Sequence, residues 1–268
     1  MTCTCSDHND DKSGSHFTGR CEQTIGNSPG EIEAITAGAR SFLKSEMDVY
    51  NLRSHSFEFQ LTAAVSCYIQ AAKLQEEQGR AQMAGGLYME LAEAFWRMKR
   101  PIEALPHYQR AASLFGSDIV CVISAKLKVA SCYIATPDYH NALLVLSEVA
   151  SLTSEQEHLH LFDDVQRDVE ILRVLLLLII EPSTHNTDPS LLSVLEKYRV
   201  VDEGFDPETR VCQHLSVELS ILLQSLVMAV EGLETNSVLY IEDELVPLLS
   251  DQQRSLLRVL VKQTLRKV

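Results

Sequence analysis

The sequence predicts an all-α fold, an α-solenoid of stacked antiparallel helix hairpins. Three observations predict it. Strict two-residue alternation is scarce, whereas runs of roughly 12 to 20 residues carry apolar positions at helical spacing between turn signals. A small/aromatic/small pattern recurs through the middle of the chain. The greasiest run, Val174 to Ile180, would span roughly 10 Å as a helix, against a hydrocarbon core of about 30 Å. It is therefore read as buried helix and not as a membrane span.

Residues 1–30 are rich in Ser, Thr, Asp, Asn and Gly, with few large apolar side chains. They cannot bury enough surface to offset chain entropy and are expected to form a disordered tail. Order is expected to begin near Pro29-Gly30-Glu31. The expected helices are then 31–46, 57–78, 80–98, 101–115, 118–135, 138–151, 160–181, 188–198, 207–231, 235–248 and 251–265. Pro101 and Pro137 sit at helix starts, where a missing N–H does no harm. Asp118, Asp188 and Ser250 are the expected N-caps. The stretch PSTHNTDPS, 182–190, is the clearest loop. It separates hairpins over 31–181 from a C-terminal helical region, 191–268, expected to pack on the same solenoid.

The repeat has three copies. Ala64, Tyr68, Ala71, Ala72 and Leu74 match Ala104, Tyr108, Ala111, Ala112 and Leu114, and then Ala142, Leu146, Val149, Ala150 and Leu152. A second element, Leu91-Ala92 with Phe95 and Val129-Ala130 with Tyr133, precedes the second and third copies. Small residues let two antiparallel helices approach, and an aromatic one turn away fills the gap on the same face. The pattern resembles a tetratricopeptide repeat with lengthened helices or loops.

Charge and motifs narrow the function. With 23 basic and 37 acidic residues the net charge is −14, which disfavours nucleic acid and anionic membranes and suits a basic protein partner. Seven cysteines without framework spacing fit a reducing compartment, and with no apolar signal region the chain is read as soluble and intracellular. Motifs for a phosphate loop, a nucleophile elbow or a zinc-protease helix are absent, so no enzyme activity and no cofactor is expected. Cys3, Cys5, His8 and His16 match no common metal spacing. Met89, Glu93 and Trp96 occupy the positions that would line a carboxylate-gripping groove, with Arg97 alone beside them, which argues against such a clamp. Acidic clusters at Asp163-Asp164 and Glu242-Asp243-Glu244 read as solvated faces. Glu242, Asp243 and Glu244 are also the candidate contact for basic residues of a partner.

Helices 160–181 and 207–231 carry more apolar surface than one stripe. Leu175 and Leu178 lie off the first stripe of one, and Leu223 and Val227 off that of the other. Left in water, each would forgo about 1.5–3 kcal/mol. These helices either pack centrally in a globular C-terminal half or are covered by another protein. Leu175, Leu178, Leu223 and Val227 are accordingly candidate partner contacts.

An ordered series of stretches carries a family resemblance: CEQTIGNSPGEIEAITAGARSFLKSE (21–46), LYMELAEAF (87–95), HYQRAASL (107–114), VEILRVLLLLIIEP (169–182), LEKY (195–198), LLQSLVMA (222–229), ELVPLL (244–249) and DQQRSLLRVLVKQT (251–264). Together they resemble the huntingtin-associated proteins of the factor VIII intron family. The resemblance implies a tetratricopeptide-like, SNAP-like helical subunit that forms a stable complex with huntingtin, one to one, clasped between its helical-repeat arms. It also implies a link to early endosomes through a Rab GTPase, and residence in cytoplasm and nucleus. An independent trafficking adaptor, binding vesicle or Rab-associated proteins through its groove, is the alternative. The chain departs from the family in having only a short polar segment before 21–46. It also has TSEQEHLH, 153–160, where some relatives carry a long proline-rich insertion. Contacts that depend on those parts are not expected here.

Overall fold

The computed structural model describes residues 28–53, 58–155, 159–181, 189–199 and 214–267. The expected tail up to residue 27, the cap Asp188 and most of the 182–190 loop lie outside them. Among the described residues there are eleven α-helices, two short 3-10 turns and no strand. No helix among them is long and apolar enough to cross a membrane.

The chain forms two compact units that divide between Thr136 and Pro137. This break precedes the one anticipated at 182–190. The first unit contains α1 (Ser28–Asn51), α2 (Phe59–Glu77), α3 (Ala81–Arg97), α4 (Pro101–Leu114) and α5 (Ile119–Ala135), each packed on the next. The repeat register is the packing register. Ala64, Ala71, Ala72, Leu91, Ala92, Ala104, Tyr108 and Ala111 are fully enclosed, and Tyr68 nearly so. Tyr133, read as the second aromatic of its pair, is only half-buried. Packing is close at Gly85, where a Cβ would lie 2.9 Å from the Phe115 ring. Helix ends close by backbone capping. After α2, Gly79 takes φ +73° and the Arg80 N–H donates to the Gln75 carbonyl. The same bond closes α3, from the Arg100 N–H to the Phe95 carbonyl, with Lys99 in the left-handed region.

The second unit holds α6 (Tyr139–Ser154), α7 (Asp163–Ile180), α8 (Pro189–Arg199), α9 (Val217–Glu231), α10 (Thr235–Leu245) and α11 (Asp251–Leu265). Here α7 is central and touches α6, α8, α9 and α11. That placement explains its composition: a helix covered on several sides needs apolar residues all round. Caps mark the starts. Asp118 accepts from the Cys121 N–H, and Ser250 forms a capping box with Gln253. Asp138, not Pro137, caps α6.

The expected 31–46 helix runs longer, Ser28–Asn51, and three expected helices lose three or more residues at one end. The 160–181 segment opens with a 3-10 turn, Leu159–Phe162, before α7. The 235–248 helix ends at Leu245, because Pro247 cannot donate to the helical ladder and the chain tightens into the 3-10 turn Val246–Leu248. In 207–231 the helix starts at Val217, where the Ser216 hydroxyl accepts from the Leu219 N–H; residues 201–213 lie outside the described ones.

Candidate partner-binding surfaces

Four of the seven predicted contact residues are core. Leu175, Leu223 and Val227 are fully enclosed and Leu178 is 3% exposed. The expectation that they face a partner is corrected: α7 is wrapped by four helices of its own unit, and α9 turns Leu223 and Val227 inward. Apolar surface is left over elsewhere. Val217, Ile221 and Met228 stand one or two turns apart on α9 and are 56%, 56% and 49% exposed. The sequence pattern held all three, but only the packing of α9 shows which stripe is turned out. Tyr240, on α10, is 68% exposed.

The acidic cluster lies as a surface feature. Asp243 and Glu244 are exposed and Glu242 half-buried, and no ion pair among the described residues engages them. From residue 214 to 253 the chain has seven carboxylates and no Lys or Arg. This region is therefore an apolar stripe in an acidic setting. Within the same unit, Glu170 is buried beside Arg173 at 3.3 Å and Lys197 at 3.8 Å, and Tyr198 Oη donates to it at 3.4 Å. That cluster is a structural anchor between α7 and α8.

The first unit presents a different surface. Glu90 and Glu93 lie one turn apart on α3. Arg40, on α1, donates to both Glu90 oxygens at 2.8 and 2.9 Å, and Tyr68 Oη donates at 2.7 Å. Those Arg40 bonds hold the Glu90 carboxyl below its usual range against the opposing effect of burial. Glu93 accepts from Tyr108 Oη at 2.9 Å and from Lys128 Nζ at 3.3 Å. Burial pushes Glu93 upward, but these partners outweigh it and the carboxyl lies below the ordinary value. Burial first, then the bond to carboxylate, raises both phenols. Arg97, expected to stand alone, is joined in the same cleft by Arg40 and Lys44 from α1. Their four-residue spacing was the available signal. Nearby, His107 stacks on Phe95 and Tyr88 with ring centroids 5.7 and 6.1 Å away. Burial lowers its pKa, which Glu103 partly opposes.

Among the described residues no group of three or more His, Cys, Asp or Glu side chains is arranged to hold a metal. The thiol of Cys132 is fully enclosed and burial pushes it up to about 11.

Comparison with known proteins matches this architecture. Residues 47–161 match the family model of the soluble NSF attachment protein, SNAP, which accords with the stacked helices. The 40-kDa huntingtin-associated proteins of Rattus norvegicus and Mus musculus are each 29% identical over 302 aligned positions, covering 92% of this chain and 79% of the relative. The resemblance read from the ordered sequence stretches is thus borne out: this chain is similar, over 92% of its length, to the 40-kDa huntingtin-associated protein, and over residues 47–161 to SNAP.

Proposed function

We propose that this chain is a non-catalytic helical binding subunit that associates with huntingtin, one to one, lodged between its helical-repeat regions and stabilising it. The observation that carries this reading is the similarity to the huntingtin-associated proteins over 92% of the chain. The geometry supplies a means. The α9 stripe of Val217, Ile221 and Met228 offers apolar area, and Glu242, Asp243 and Glu244 offer uncompensated negative charge. Such a surface fits a partner face that is apolar with a basic border, the charge acting mainly on association rate.

Size-exclusion chromatography of the chain with and without huntingtin tests the association. Co-elution is expected, and separate elution at micromolar concentration overturns it. Ile221→Asp with Met228→Asp tests the surface: complex formation should weaken at least about tenfold while the helical signal of the free chain is unchanged. Changing Glu242, Asp243 and Glu244 together to Lys should slow association most at low salt. Unaltered kinetics there would remove the electrostatic part.

The SNAP match favours a second reading, an independent trafficking adaptor for vesicle or Rab-associated proteins. A pull-down after huntingtin depletion separates the two. Vesicle proteins retained without huntingtin support the adaptor; their loss supports the obligate subunit.

A further inference from the structure

The cleft between α1 and α3 is a second candidate site, and nothing in the huntingtin reading uses it. It encloses about 350 Å³, within the usual range for a ligand pocket. Its walls carry Arg40, Lys44 and Arg97, and its apolar part is Leu43, Met47 and Ala94. The two carboxylates that reach it, Glu90 and Glu93, are already committed. Glu90 accepts three hydrogen bonds from Arg40 and Tyr68, and Glu93 accepts from Tyr108 and Lys128 at one oxygen, its other oxygen lying 3.5 Å from Arg97.

The cations are not committed to the same degree. Arg40 spends two of its five N–H groups on Glu90 and is 59% exposed. Arg97 meets Glu93 only at 3.5 Å and is 66% exposed. Lys44 is exposed and has no ion-pair partner among the described residues. In a chain of net charge −14, three cations thus outnumber two carboxylates at this cleft, beside apolar side chains.

We propose that this cleft binds an acidic peptide segment of a partner protein, in which carboxylates alternate with apolar side chains. Carboxylates of the segment meet Lys44, Arg97 and the free edge of Arg40. An apolar side chain rests on Leu43, Met47 and Ala94. The apolar part of the cleft distinguishes a peptide from a small inorganic anion, which would leave that surface wet.

The test uses the full chain and a short fluorescein-labelled peptide of alternating Glu and Leu, read by fluorescence anisotropy. A peptide of alternating Lys and Leu and one of alternating Gln and Leu are the controls. Wild type should bind the Glu peptide at least tenfold more tightly than either control, with affinity falling as salt rises. Lys44→Glu with Arg97→Glu should lose that preference and gain affinity for the Lys peptide. This charge reversal also shows that the variant remains folded. Inorganic phosphate should compete only weakly. Equal binding of the three peptides, equal binding of the Glu peptide by wild type and variant, or full competition by phosphate at equal concentration would overturn the proposal. Huntingtin association by the same variant is read separately and should be unchanged.

Discussion

The two units solve the same problem, burying helix surface, in opposite ways. In the first, five helices stack in chain order and interdigitate small residues with tyrosines, so most burial is between sequence neighbours. In the second, one greasy helix is wrapped by four others, and ten of its residues are buried. Charge divides along the same line. Residues 28–136 have eleven acidic and eleven basic side chains; residues 137–268 have twenty-two acidic and ten basic. A stack of hairpins exposes long flanks that balanced ion pairs can decorate, such as Arg110 with Glu76 and Lys128 with Glu93. The unit built round a central helix encloses that helix, yet it leaves Val217, Ile221 and Met228 exposed under an unbalanced, acidic exterior. The difference teaches that apolar content alone does not mark an interface. The longest unbroken apolar run, Val174 to Ile180, is enclosed but for its last residue, whereas α9, ten of whose fifteen residues are apolar, turns a stripe outward.

The sharpest way to break this contrast is to hollow the central helix. Leu177 is fully enclosed, and Leu177→Ala should cost about 2–5 kcal/mol, read as a lowered denaturation midpoint by urea. A loss under about 1 kcal/mol would mean that α7 is less tightly wrapped than its burial shows. The converse change suits the stack. Ala111→Trp should cost about 1–3 kcal/mol through overpacking between small-residue helices, and an unchanged melting temperature would reject the hairpin register.

Acid should also separate the units. His107 has a folded pKa below its ordinary 6.5, so its neutral form is the one that the first unit accommodates. The associated stability is present above about pH 6.5 and is lost as pH falls toward the folded value. Glu90 and Glu93 are depressed below 4.5, so their contribution is lost at still lower pH, as it falls through their folded values. His107→Leu should flatten the melting temperature between about pH 7 and pH 5; an unaltered slope would remove His107 from the account. The smallest effect is at the α3 terminus. Lys99 adopts φ +59°, a conformation that costs a non-glycine residue roughly 1 kcal/mol, so Lys99→Gly should raise stability by up to about that amount. Thermal melts would register it as a small upward shift.

Much of the architecture was legible in the sequence. Ala64, Tyr68 and Ala71, then Ala104, Tyr108 and Ala111, gave both the helix faces and their pairing, because close approach demands small residues at fixed spacing. Ser250 and Asp118 marked their helix starts because unpaired N–H groups need a short side-chain acceptor. The surface sites were less legible. Glu242, Asp243 and Glu244 were found from charge alone. Val217, Ile221 and Met228 were indistinguishable from Leu219, Leu223 and Leu226 until the packing of α9 showed which stripe met the rest of the unit.

The sequence by itself determined the helical class, the repeat register and the acidic character of the second half, because periodicity and charge are properties of neighbouring residues. Tertiary structure alone decided that Leu175, Leu178, Leu223 and Val227 belong to the interior, and that Arg40 and Lys44 share a cleft with Arg97. Those outcomes depend on contacts between side chains some fifty residues apart, as in the Arg40–Glu90 pair. Such contacts are set by which helix faces meet, and no local pattern encodes that choice.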